Sequence, residues 1–290
     1  FVETIEPEVK QRSFRLAKVL TKHPQRDGLP AGRYEVFTRD AALEVELFRP
    51  ENVPLETETA KLGQQYQKLI GGLAVQFDGK EQTLVQMGRY LEETDRARRR
   101  EAWELVANRR LEEAETIDAQ LDDLAKRRIQ MSDNAGFPNY RDFAHRRKGR
   151  FDYTPDDCLA FHDAIEQEMV PLLTELHNER RTALGVESVR PWDTATDPHG
   201  RPPLKPFDEV PQLIDRTQAI FDQLDGDLAG WFRIMQELDL LDLANRKGKA
   251  PGGYQDSLAE ARLPFIFMNA IGVQRDVETL LHEAGNAFHT

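Results

Sequence analysis

His282 and Glu283 stand side by side in QRDVETLLHEAGNAFHT, residues 274–290, where Val277, Leu280, Leu281, Ala284 and Phe288 recur at the spacing of a packed helix. In an H-E-x-x-H pattern, two histidines at i and i+4 lie about 40° apart around the helix and about 6 Å along it, so both rings reach one metal ion. The glutamate between them then faces the metal-bound water as a general base. Here the second position is Asn286. An amide oxygen is a weak neutral donor better suited to harder cations, so the pattern predicts severely loosened zinc if Asn286 coordinates at all. His289 has nearly the azimuth of His282 but lies about 10.5 Å further along the axis. Helical side chains lean toward the N-terminus together, so His289 is assigned to packing or to bonding around the site. By itself, H-E-x-x-N reads as a polar helix face.

The elements that must hold this helix come just before it. Lys249-Ala250-Pro251-Gly252-Gly253-Tyr254 is rich in turn formers, and LPFIFMN (263–269) is short, apolar and aromatic, the pattern of a strand buried on at least one face. Most of the remaining chain has the helical apolar period. A helix is predicted over 81–93, then a charged helical stretch to about residue 133 after a cap at Thr94-Asp95. Another starts at Thr154-Pro155 and runs to about 184, with a kink expected at Pro171. Residues 191–206, with five prolines, read as a long loop, and 207–245 as helix with breaks at Gly226 or Gly230. Weaker strand signals occur at 34–37 and at 74–77 before Asp78-Gly79.

Length and charge limit the function classes. A chain of 290 residues predicts about two domains. With 39 basic and 51 acidic residues the net charge is −12, which repels phosphate backbones and argues against nucleic acid as a partner. The apolar runs fall far short of the roughly 18 residues that span a bilayer, so no membrane is expected. One cysteine, Cys158, and the lack of a recognisable leader give a reducing cytoplasm as the expected setting. The chain opens on Phe1 rather than Met and closes in mid-pattern, which reads as a fragment.

Residues 249–290, KAPGGYQDSLAEARLPFIFMNAIGVQRDVETLLHEAGNAFHT, resemble the active-site region of the thimet oligopeptidase and oligoendopeptidase F family of zinc peptidases. Weaker similarity covers much of 64–193, including FDGKEQTL, DRARRREAWE, NYRDF, DYTPDD and LGVESVRPWD. The resemblance implies a mainly α, two-lobed zincin-like oligopeptidase body with a deep channel and a small β element beside the active-site helix. On that reading 1–190 form the N-terminal helical lobe and 191–290 the start of a catalytic lobe. It implies zinc as cofactor and oligopeptides as substrates. His282 matches the first zinc ligand, Glu283 the general base, and Asn286 occupies the second ligand's position, while the third ligand and the oxyanion-stabilising groups belong to a later segment. In an active relative, zinc polarises the scissile carbonyl and Glu283 takes the proton of the attacking water. With Asn286 the expectation is a disabled peptidase, the alternative being a non-catalytic peptide-binding pseudo-peptidase.

The strand 263–269 is the candidate for main-chain contact with an extended peptide, with Phe267, Met268 and Asn269 as substrate-binding residues. Leu280, Leu281, Ala284 and Phe288 are expected to expose an apolar patch that the continuing catalytic lobe or a second chain covers. Cys158, His162 and Glu166, and likewise His177 with Glu179, lack a third ligand and read as helix surface. The arginines at 96–100 have acidic neighbours and predict ion pairs. The run His145-Arg146-Arg147-Lys148 is less balanced, and could line a channel that receives a peptide carboxylate.

Overall fold

The computed structural model describes residues 1–289. Its order is α1 (Ile5–Lys22), α2 (Ala31–Leu47), α3 (Asn52–Gly72), β1 (Ala74–Phe77), β2 (Lys80–Thr83), α4 (Arg96–Leu111), α5 (Ala114–Ala135), α6 (Tyr140–Arg147), α7 (Pro155–Ala164), α8 (Val170–Leu184), α9 (Val210–Leu224), α10 (Gly226–Glu237), β3 (Leu241–Ala244), β4 (Tyr254–Leu258), β5 (Leu263–Ala270) and α11 (Gln274–Ala287). The architecture is mainly α, as expected, with its β element just before α11. None of the described helices is long and apolar enough to cross a membrane.

Two compact units divide the chain, each assembled from two stretches. The first takes Phe1–Tyr66 and Glu115–Glu175, the second Gln67–Ala114 and Leu176 onward, so residue 190 lies inside the second.

In the first unit Met131, Ala135 and Phe143 are buried, with Leu47, Leu55, Phe137 and Tyr140 packed against them. The strand signal at 34–37 is overturned: these residues lie in α2. Three β-favouring residues, Tyr34, Val36 and Phe37, are outweighed by the helix formers that follow, and α2 buries Ala41 and Leu43. Thr154 caps α7 reciprocally, its hydroxyl accepting from the Asp157 N–H while the Asp157 carboxylate accepts from the Thr154 N–H. At Pro171 the helix adapts by a π-helical segment, Ile165–Met169, just before the proline. Pro171 has no N–H and its ring crowds the carbonyl four residues back, and a widened turn relieves both.

In the second unit β1 and β2 form a hairpin through Asp78 and Gly79, at φ 55° and 70°, as the weaker strand signal anticipated. The helix expected over 81–93 is instead the second hairpin strand followed by a 3-10 segment, Gln86–Glu92. Thr83 directs that change, since its hydroxyl accepts from the Gln86 N–H and donates to Asn245. The helical stretch 207–245 breaks at Asp225, whose carboxylate accepts from the N–H groups of Asp227 and Leu228 to cap α10. Gly230 stays inside α10, and the chain leaves through Asp239, at φ 56°, into β3.

The long loop after Pro191 is anchored by Asp193, which is fully buried and held by Arg96 at 2.8 Å and by the buried Arg99 at 3.1 Å. Arg98 pairs with Asp78 and Glu93, and Arg100 with Glu104. The basic cluster on α4 is therefore committed to ion pairs, two of them to this loop.

Strands β3, β5 and β4 form a three-stranded sheet in that order, β5 running parallel to β3 and antiparallel to β4. Ile266, Met268 and Ala270 of β5 enter the main core with Leu213, Phe221, Phe232 and Leu280.

Candidate active-site corner

The start of α11 is fixed by one carboxylate. Asp276, in its first turn, accepts hydrogen bonds from the N–H groups of Ile271, Gly272 and Val273 at 2.8–3.0 Å. Burial pushes its carboxyl up, against those three donors, and Glu92 is likewise raised by burial and by the charge of Asp276. Gly272 makes the turn at φ 95°, a conformation costly for any side chain.

The apolar side of α11 is covered within the second unit. Leu280 and Ala284 are fully buried, and Phe288 packs on Phe221 and Trp231 with ring centroids 5.2 and 5.7 Å apart. The exposed apolar patch expected on this helix is therefore not found. Helices α9 and α10 supply the wall that the sequence reading assigned to a missing partner.

The other side carries the polar groups. Arg275, Glu278, Thr279, His282 and Glu283, spaced as one helical stripe, line a cavity of about 400 Å³. His282 and Asn286 are exposed, whereas Glu283 is buried. The one hydrogen bond to the Glu283 carboxylate among the described residues is a long one, donated by Asn286 Nδ2 at 3.4 Å. His289 lies past the end of the helix, its N–H donating to the Asn286 carbonyl. Cys158 is half-buried, and His162 and His177 are exposed on their helices. No group of three His, Cys, Asp or Glu residues among the described residues could hold a metal ion. One imidazole and one amide do not make a zinc site, so the residues present here do not fit the ion by themselves.

The residues expected to meet substrate are placed unequally. Phe267 is half-buried, stacked on Tyr254 with centroids 4.9 Å apart and with Lys249 Nζ 4.3 Å from its ring centre. Met268 is buried in the main core. Asn269 is buried and its amide bridges neighbours, donating to the carbonyls of Ala250 and Gly252 and accepting from Asn245. Strand β5 is flanked on both sides, so its backbone is already paired; β3 and β4 are the outer strands. Gly253, at the mouth of β4, approaches α11 so closely that a Cβ there would sit 3.2 Å from Thr279 Cγ2 and 3.4 Å from Met268 Cβ. The sequence reading missed Arg275 and Thr279. Their signal was present, since they lie seven and three residues before His282, on its face of the helix.

A mainly helical body with a His-Glu pair on a helix backed by a small mixed sheet is a zincin-like fold. The chain belongs to peptidase family M3, whose sequence profile matches residues 89–290. A Bacillus anthracis str. Ames protein described as an oligoendopeptidase F superposes with a TM-score of 0.93 at 29% identity, over 99% of this chain and 53% of its own. PZ peptidase A, solved with an inhibitor, gives 0.92 at 31% identity, over 98% and 50%. A peptidase from Chlamydophila abortus shares the fold alone, with a TM-score of 0.54 at 15% identity over 94% and 48%. The chain thus spans about half the length of these solved relatives. No curated protein sequence matches it significantly.

Proposed function

We propose that the chain carries the metal-helix part of a peptidase that hydrolyses short peptides, with Glu283 as the general base, His282 as a zinc ligand, and Asn286 as the reason that zinc and activity are both weak. The observation that carries this reading is the stripe on α11: a buried carboxylate beside an exposed imidazole, both facing one cavity, in a chain of family M3. Glu283 is held by a single long hydrogen bond, which leaves its lone pairs for the proton of an attacking water. Extended peptide is assigned to β4 rather than to β5. This outer strand begins just after Gly253, which packs against Thr279, a residue lining the cavity with His282 and Glu283, and strand addition binds main chain without reading sequence. Phe267 then acts beneath Tyr254, and Met268 and Asn269 act by holding the turn. Residues 191–290 are read as the start of the catalytic lobe and 1–190 as the helical lobe before it, and the lone Cys158 supports a cytoplasmic setting.

A second reading, peptide binding without hydrolysis, is favoured by the incomplete donor set. Elemental analysis of the intact protein and of Asn286→His separates the two. Near-stoichiometric zinc and at least about tenfold faster oligopeptide cleavage in the variant support the disabled peptidase. Little zinc in either, with peptide still bound, supports the binding protein. Undiminished cleavage by the parent overturns the role given to Asn286.

A further inference from the structure

Arg146 and Arg147 of the basic run at 145–148 are spent on Glu46 and Glu56 within the first unit. The first helix has cations that are not spent. Glu8 takes Arg12, Glu6 takes Lys10 and Glu3 takes Lys61 of α3. Arg15, Lys18 and Lys22 have no carboxylate partner among the described residues, and they border one shallow hollow with no acidic residue in its lining. Charge therefore changes sign along this segment, acidic over residues 3–8 and basic from 10 to 22.

The same helix turns apolar side chains to solvent. On its inner face Ala17 is buried and Phe14 stacks on Phe48. On its outer face Ile5, Val9, Leu16 and Val19 are 52–72% exposed. With Arg12 they are spaced four, three, four and three residues apart, the seam of a two-helix coiled coil. Glu8, Arg15 and Lys22, seven apart, run along one flank of that seam.

Whatever covers this face must supply an apolar seam and the opposite order of charge. Another copy of α1, laid antiparallel, supplies both. A net charge of −12 sets two copies of the chain against each other, so association needs a face that carries both signs. In antiparallel packing like flanks meet. The register that sets Ile5 against Leu16 of the second copy also sets Glu8 against its Arg15, and two-fold symmetry repeats both contacts. A shift by one seven-residue repeat would bring Arg15 against Arg15, and a parallel arrangement would lay the two basic ends together, so charge rejects both. We propose that α1 is the contact surface of a homodimer, two copies joined antiparallel along the seam over residues 5–19 and clamped by Glu8 on Arg15 in each direction. This surface stands independently of the peptidase reading.

Sedimentation velocity of the intact protein over a concentration series tests it. The expected result is a dimer that dissociates on dilution. Leu16→Glu, which puts a charge in the seam, and Arg15→Glu, which makes two carboxylates meet, should each weaken dimerisation by at least about tenfold. The paired exchange of Glu8→Arg with Arg15→Glu should restore the affinity to within about threefold of the parent, because the same contact is then made with its signs reversed. All three positions are exposed, so the fold is not at stake, and the parent's own dimer needs no variant. A monomer at every concentration overturns the proposal and leaves the seam to a later segment of the chain or to another partner. A dimer indifferent to Leu16→Glu, or one that the paired exchange fails to restore, overturns it as well.

Discussion

Asn269 and Asn286 both belong to the second unit and do opposite things with the same amide. Asn269 is buried, donates to two carbonyls at 2.9 Å each and accepts from Asn245 at 2.8 Å. Asn286 is exposed and offers one bond of 3.4 Å to Glu283. A buried polar group left unpaired costs about 1–3 kcal/mol, so the fold requires the first amide and is nearly indifferent to the second. A position to which the fold is indifferent is one where a change can act on chemistry alone.

Lys249 should give the largest effect on the fold-required side. Its buried ammonium donates to the carbonyls of Met268, Asp242 and Ala244 and to the Asp242 carboxylate, at 2.6–3.0 Å, and so joins the turn before β4 to β3 and β5. Lys249→Met removes that donor from all of them, leaving the Asp242 carboxylate to Arg246 alone, and a loss of about 3–5 kcal/mol in urea unfolding is expected. A loss under 1 kcal/mol would show that the corner is not held by this charge. Asn269→Ala comes next, at about 2 kcal/mol, since Asn245 and two carbonyls lose their partner.

Asp242 sharpens the same side through pH. Hydrogen bonds from Arg246 foremost, and from Lys249, hold its carboxyl down at about 2, against roughly 3.9 in an unfolded chain. A depressed folded-state value means that the stabilisation is complete above about pH 4 and is lost as pH falls from there toward 2. The gap in melting temperature between the parent and Asp242→Asn should therefore narrow over that interval. A gap independent of pH would mean that the carboxylate's charge is not what stabilises the corner.

How much of this was legible follows the range of the interactions. The α11 helix, the turn at 249–254 and the strand at 263–269 were readable because period and turn chemistry are local. The 3-10 segment at 86–92 was not, because Thr83 makes its distant bond to Asn245, 162 residues away. The cover for Leu280 and Phe288 was misjudged for the same reason: Phe221 and Trp231 reach them only once α9 and α10 have folded back. Strand LPFIFMN was read as offering its backbone, yet only sheet order distinguishes a central strand from an outer one. At the site itself His282, Glu283 and Asn286 were legible as a pattern, while the committed amide of Asn269 was not.

The smallest expected effect separates the two sides most cleanly. Asn286→Ala removes one long hydrogen bond at an exposed position, so unfolding free energy should change by less than about 0.5 kcal/mol. Asn286→His, measured without metal, should be equally neutral, because α11 is held by its buried face and by Asp276 at its start. Any gain of zinc or of peptide cleavage in that variant is then a change of donor and not a repaired fold. Should Asn286→Ala instead cost as much as Asn269→Ala, the amide belongs to the framework, Glu283 depends on it for position, and the contrast between the two asparagines fails.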